Sequence, residues 1–266
     1  MRGLAHALVL EALDELDCRP SVISGTSMGS LIGALYASGL SGRTIRELVW
    51  RHSVFKSDTW TDLFKKRADL FKWVDSFSLE FGKGGLINAD KFLNYLLSEI
   101  GANTFEDLKI PLIVVAADFW GAEEVVLKKG ELLPAINASM AVPGVFKPVT
   151  IGDKVLIDGG AVNLVPYDHI IQQSDMSIAV NVAKARTPGK SEPPSVLESV
   201  LGTFEIMQMA SLAEKMRRRK PDIYIHPEIS DIRMFDFNKI EDVFLQTQPA
   251  IDELRRLVKK HVAGLQ

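Results

Sequence analysis

The stretch Gly25-Thr26-Ser27-Met28-Gly29 decides how this chain is read. It sets a serine between two glycines, directly after the strand-like run Ser21-Val22-Ile23-Ser24 and directly before a Leu- and Ala-rich run, Met28 to Ser38, of helical character. A strand that turns sharply into a helix at a serine is the local geometry of a nucleophile elbow, which exposes the Ser27 hydroxyl. Glycine suits the flanking positions because strand and helix backbones come close there and a Cβ would intrude. The Met28 N–H is expected at the positive end of the helix, where it is suited to stabilise an oxyanion. The same five residues also suit an ordinary Gly/Ser strand-to-helix turn, and the pentapeptide alone leaves both readings open.

Two blocks downstream narrow the choice. Val155-Leu156-Ile157-Asp158-Gly159-Gly160 is an apolar strand ending in an aspartate and two glycines, and strand ends are where α/β folds carry their functional groups. Ala138-Ser139-Met140-Ala141-Val142-Pro143-Gly144-Val145-Phe146-Lys147-Pro148 is a helix end running into a Pro- and Gly-punctuated loop. Together with the elbow, these blocks resemble the patatin-like phospholipase family, and the likeness runs from Arg2-Gly3-Leu4-Ala5-His6 through Gly85-Leu86-Ile87 to Pro221-Asp222-Ile223. The resemblance implies a Ser-Asp catalytic dyad, with Ser27 as nucleophile and Asp158 as general base, and Gly25, Gly29, Gly159 and Gly160 as motif glycines. It implies a three-layer α/β/α sandwich with a mostly parallel central sheet and acyl esters of lipids as substrates. Hydrolase and acyltransferase chemistry both occur in the family. No cofactor and no metal is implied.

Family members open with a strand and a glycine-rich loop, roughly G-G-G-x-R-G, whose backbone N–H groups form the oxyanion hole. This chain opens at Met1-Arg2-Gly3, which matches the last two positions, so Arg2 and Gly3 are carried over as oxyanion residues beside Met28. Three expectations stand side by side. The chain starts short of the loop, the hole is built differently, or the protein is a catalytically impaired lipid-binding or regulatory member of the same fold. Losing one such donor lowers turnover by ~10²–10³.

Composition fits a compact enzyme. The chain has 266 residues, 47% hydrophobic and 24% charged, enough to bury a large core, and one domain over residues 1–266 is expected. A formal net charge of −3 gives no electrostatic case for nucleic acid. The lone Cys18 has no intrachain disulfide partner and no second cysteine for a metal site, so a reducing, cytoplasmic setting is the expectation. The longest apolar run, Ile110 to Ala117, falls well short of the ~18 residues of a membrane span. Acidic residues at Glu11, Asp14 and Glu15 are wrong for a secretory signal.

Along the chain, strand-like and helix-like segments alternate. Leu4, Leu8, Ala12 and Leu16 mark an amphipathic first helix that Pro20 ends. Asn88 is the expected N-cap of a helix over Ala89 to Ile100, with Gly101 just past its end. Pro111 to Ala117 reads as a central strand, and Glu123 to Leu127 as its hairpin partner after Gly121. Met176 to Val182 and Asp222 to Ile225 read as further strands, and Pro188 to Pro194 as a surface loop.

As a base, Asp158 would take the Ser27 proton, and partial burial would raise its pKa from near ~4 toward a useful value. The rival assignment is a Ser-His-Asp triad with His169 as base. The other histidines are expected to pack or cap (His6), end a strand (His226) or lie in solvent (His52, His261). Trp60 to Phe81 is an amphipathic, basic, aromatic stretch that reads either as core or as a lipid-facing element, which makes peripheral membrane contact an expectation. Arg217-Arg218-Arg219-Lys220 reads either as a solvated helix end or as a headgroup contact, and Gly82-Lys83-Gly84-Gly85 lacks the spacing of a phosphate loop.

Overall fold

Leu112-Ile113-Val114-Val115-Ala116-Ala117-Asp118 is apolar up to its last residue, and such a run is stable as a strand only when both its faces are covered. It forms β2 (Leu112–Asp118), with all seven residues buried. The computed structural model, which describes residues 2–55, 101–144, 146–183, 193–194, 196–232 and 239–264, builds its main sheet around this strand. β1 (Ile23–Thr26) runs parallel to β2, with Ile23 opposite Leu112 and Thr26 opposite Val115. β3 (Glu123–Leu127) returns antiparallel as the expected hairpin, with Asp118 opposite Glu123. β4 (Val149–Ile151) and β5 (Lys154–Asp158) form a second hairpin, and β5 also pairs antiparallel with β2, placing Asp158 opposite Ala116. Because β3 occupies one edge of β2 from Val114 to Asp118, β1 and β5 share the other edge and meet on it end to end.

The sheet is mixed. Among the described residues the parallel pairings are β1 with β2 and β6 (Ile178–Val180) with β7 (Ile223–Ile225), so the mostly parallel sheet expected from the alternation is confined to those two contacts. Tight turns with positive φ at Ala122 (+50°) and Gly152 (+62°) account for the β2–β3 and β4–β5 hairpins, since a short turn joins neighbours antiparallel whereas a parallel neighbour needs a long crossover.

The helices cover these strands as the apolar periodicity dictates. A 3₁₀ turn at Arg2–Leu4 leads into α1 (Ala5–Glu15), which buries Ala5, Val9, Ala12 and Leu13 and stops ahead of Pro20. α2 (Met28–Ala37) is buried over nearly its whole length against β1 and β2, and α3 (Gly42–Phe55) packs on α1. α4 (Leu132–Ser139) lies on β2 and β5, where Ala138, Ala116 and Leu156 form a small cluster. The β6–β7 pair alternates its side chains between two covers. Ile223 and Ile225 meet α1 and α6 (Ile240–Gly264), while Ala179 and Tyr224 meet α5 (Val196–Arg218) through Leu212. Fully buried side chains such as Leu35 and Leu254 each contribute roughly 1.5–3 kcal/mol of transfer free energy.

Among the described residues, no helix is long and apolar enough to cross a membrane. Trp60 to Phe81, the Gly82-Lys83-Gly84-Gly85 stretch and the Asn88-capped helix lie outside the described residues, as does most of Pro188 to Pro194. Gly101, expected just past the end of that helix, has a φ of +63°. Arg217 and Arg218 are strongly exposed and pair with Glu214 at the C-terminal end of α5.

Candidate active site

Ser27 sits between β1 and α2 with φ 53° and ψ −126°, a conformation that a non-glycine residue holds only when its surroundings fix it. Both sides of the residue are fixed. Its N–H donates to Ser139 Oγ at 2.9 Å, and its carbonyl accepts the Ser30 N–H at 2.9 Å and the Ser30 hydroxyl at 2.6 Å. Ser30 and Ser139 are themselves fully buried. A Cβ on Gly25 would fall 2.5 Å from the Gly29 backbone, so the crossing of strand and helix demands glycine there. A Cβ on Gly29 would meet nothing closer than His6 Nε2 at 3.6 Å. The expected steric need for flanking glycines therefore rests on Gly25, because Gly29 contributes the backbone that Gly25 approaches and not a crowded Cβ position of its own.

Asp158 ends β5. Its N–H donates to the Ala141 carbonyl at 3.0 Å, and its Oδ1 accepts the Gly160 N–H at 2.7 Å. A Cβ on Gly159 would lie 2.2 Å from the Val115 carbonyl oxygen, so only glycine lets the chain pass under β2 at this point. Asp158 is 3% exposed, and this burial raises its pKa from the ordinary 3.8 to about 6. The nearby Ser27 hydroxyl and the Gly160 N–H favour the ionised form and hold it from rising further. The structure thus brings together the two side chains singled out in the sequence as nucleophile and base.

The three residues expected at an oxyanion hole also converge on the elbow. Met28 is the first residue of α2, where an N–H has no intrahelical acceptor. The Arg2–Leu4 turn abuts it, since a Cβ on Gly3 would fall 2.3 Å from Met28 Cβ. The Arg2 guanidinium is turned to Glu205 of α5 at 3.0 Å.

The histidines take separate places: His6 packs and His226 follows directly on β7, as expected, while His261 differs. His169 lies in a 3₁₀ turn (Tyr167–His169), and its Nε2 is 2.7 Å from Glu124 Oε1, a contact that raises its pKa. Burial raises the Glu124 pKa, but hydrogen bonds from His169 and Asn163 bring it below the ordinary value. Glu124, Asp168 and His169 place three donor atoms within 4.8 Å of one another, as a metal site would. Lys215 Nζ reaches into the same group, bonding Asp168 Oδ1 and Asn163 Oδ1 at 2.5 Å and the Val165 carbonyl at 2.6 Å, so an ammonium supplies positive charge there. His6 is turned inward beside the elbow, where burial pushes its pKa down to about 4 and keeps it neutral. His261, expected in solvent, has an enclosed Nε2 without a hydrogen-bond partner because α6 packs that face toward the strands.

Sequence reasoning passed over Ser30, Ser139 and Lys215. The available signal was weak. Ser139 is the one hydroxyl of a mostly apolar helix, at its end, and Lys215 is one of several cations near the end of α5.

The fold is an α/β sheet with a serine at a strand-to-helix elbow and an aspartate at the end of a neighbouring strand. A family model for patatin-like phospholipases matches residues 1–171, and the chain belongs to that family. It is 29% identical over 224 residues to an uncharacterized NTE family protein of Mycobacterium tuberculosis, covering 80% of this chain and 58% of the relative. It is 25% identical over 268 residues to the lysophospholipase NTE1 of Saccharomyces cerevisiae, covering 91% of this chain and 15% of that protein. The chain thus spans little more than half the length of the mycobacterial relative and a small part of the yeast one. Among solved structures, VipD from Legionella pneumophila is similar with a TM-score of 0.45 and 14% identity, over 95% of this chain and 65% of that one.

Proposed function

We propose that this protein hydrolyses acyl esters of lipids through Ser27 and Asp158, with phospholipids or lysophospholipids as the substrate class. The observation that carries the reading is the convergence of Ser27, at the strand-to-helix elbow, on a buried Asp158 at the end of the strand beside it, close enough for the serine hydroxyl to lower the carboxyl's pKa. Membership of a phospholipase family supports a lipid ester as substrate, and the name of the yeast relative makes a lysophospholipid the first one to try.

In this mechanism the ionised Asp158 accepts the Ser27 proton as Oγ attacks the acyl carbonyl. Negative charge gathers on the carbonyl oxygen, where the Met28 N–H and the backbone of the Arg2–Leu4 turn are the nearest candidates to receive it. Collapse of the tetrahedral intermediate expels the alcohol, which takes its proton from Asp158 and leaves an acyl ester on Ser27. Asp158 then deprotonates a water molecule that attacks that ester, and as the second tetrahedral intermediate collapses the acyl–Oγ bond breaks, Asp158 returns the proton to Ser27 Oγ, and the fatty acid is released. A pKa raised to about 6 makes Asp158 a stronger base than a solvated carboxylate while leaving it ionised at neutral pH.

The test is hydrolysis of a lysophospholipid and of a short-chain ester, together with labelling by a fluorophosphonate. Ser27→Ala and Asp158→Asn should each remove at least about 10³-fold of activity, and Ser27→Ala should abolish labelling. An active Asp158→Asn variant, or a wild-type protein that resists the probe, would refute the dyad.

A further inference from the structure

The register of β1 on β2 leaves one hydrogen bond to be accounted for. The Ile23 N–H donates to the Pro111 carbonyl, and the two-residue repeat of a parallel ladder brings the Ser27 N–H opposite the Val115 carbonyl. That bond is not made directly. The positive φ of Ser27 turns the chain out of the ladder, and the Ser139 hydroxyl fills the gap by accepting from the Ser27 N–H at 2.9 Å and donating to the Val115 carbonyl at 2.6 Å. Two residues further on, the Ala141 carbonyl accepts the Asp158 N–H at 3.0 Å. One short segment therefore holds the backbones of both dyad residues.

We propose that Ser139 is a positioning residue for the dyad: its hydroxyl keeps Ser27 out of the β1–β2 ladder and, with Ala141, fixes Ser27 against Asp158. The inference rests on the reading of Ser27 as nucleophile. Without the hydroxyl, the Ser27 N–H and the buried Val115 carbonyl lose the partner they share and recover one across the ladder by closing on each other. That closure draws Ser27 toward β2 and away from its strained conformation. A displacement of about 1 Å near a reacting atom lowers rate by up to about 10²-fold.

The experiment compares fluorophosphonate labelling rates and ester kinetics of wild type, Ser139→Ala, Ser139→Thr and Ala135→Gly, each expressed per folded molecule. Ala135→Gly loosens the same helix without touching the bridge. Ser139→Ala should slow labelling and kcat about 10- to 100-fold with KM within about twofold, and should move the acid limb of the pH profile upward as the Ser27 hydroxyl, which lowers the Asp158 pKa, is drawn away from the carboxyl. Ser139→Thr, which keeps the hydroxyl, should recover most of the rate, and Ala135→Gly should match wild type. Labelling of Ser139→Ala at the wild-type rate with an unshifted profile would overturn the proposal, as would an equal loss in Ala135→Gly. If Ser139→Ala does not fold, Ser139→Cys, close in size but a weak acceptor, takes its place under the same criteria. Absence of labelling in the wild type would instead count against the dyad itself, so the two failures are separable.

Discussion

Thr26 and Asp158 occupy adjacent places along one edge of β2, Thr26 opposite Val115 and Asp158 opposite Ala116. One strand reaches that point running parallel to β2 and the other antiparallel, so their C-terminal ends converge. Ser27, the next residue after Thr26, leaves its strand where Asp158 ends the other. The closeness of the Ser27 hydroxyl to the Asp158 carboxyl, which lowers the carboxyl's pKa, follows from this meeting of strand ends.

The raised pKa of Asp158 sets a pH dependence for activity. The carboxyl must be ionised to take a proton, so kcat/KM should rise through an apparent pKa near 6 and reach a plateau above it. Ester hydrolysis measured from pH 4.5 to 8.5 checks this, and a flat profile across that range would remove Asp158 as the base.

Stability should respond in the opposite direction to activity. The folded state binds the Asp158 proton more tightly than the unfolded chain does, so this group's contribution to stability is fully present below pH 3.8 and is lost as pH rises through about 6. The rise from 3.8 to about 6 corresponds to an ionisation penalty on the order of 3 kcal/mol at neutral pH. Asp158→Asn should therefore unfold at a higher temperature than wild type at pH 8, with a difference that shrinks toward pH 4. Thermal melts across this range give the answer.

Glycines of this chain should separate sharply by their surroundings. Gly25→Ala and Gly159→Ala put a Cβ within 2.5 and 2.2 Å of backbone atoms, which no rotamer change relieves, and each should destabilise severely and abolish labelling of Ser27. Gly202→Ala, within α5 and with nothing inside 4 Å of the new Cβ, should instead stabilise by roughly 0.5–1 kcal/mol. Urea unfolding of the three variants is the measurement.

His169 distinguishes the dyad from a triad. Its ring is engaged with Glu124, so His169→Ala should keep ester hydrolysis within about threefold of wild type while losing roughly 1 kcal/mol of stability. The His169 pKa is raised, so its share of that stability is present below pH 6.5 and lost as pH rises through the higher folded value. The Glu124 pKa is lowered, so its share is present above pH 4.5 and lost as pH falls through the lower folded value. The deficit of the variant should accordingly be largest between mildly acidic and neutral pH. A variant that folds but is inactive would favour the triad.

Much was legible in the chain itself, for a local reason. The pattern of a strand, a serine among glycines and an apolar helix is written over adjacent residues; Ser27 and α2 appear where that pattern puts them, and β1 lies two residues further on than Ser21 to Ser24, running to the elbow itself. Likewise, Val155 to Asp158 reads as a strand with a polar end, and Glu123 to Leu127 as a returning hairpin. Such features depend on side-chain periodicity and turn chemistry, which act between near neighbours.

Tertiary structure decided what those elements do together. That β1 and β5 share an edge follows from β3 having taken the other, and no residue near Asp158 in the chain encodes it. The about-6 pKa comes from enclosure by packed elements, His169 goes to Glu124 because the loop after Gly160 delivers it there, and the Ser139 hydroxyl finds the Ser27 amide across a large separation in sequence. Hydrogen bonds and burial act between whatever the folded chain brings within a few ångströms, and sequence distance does not enter into them.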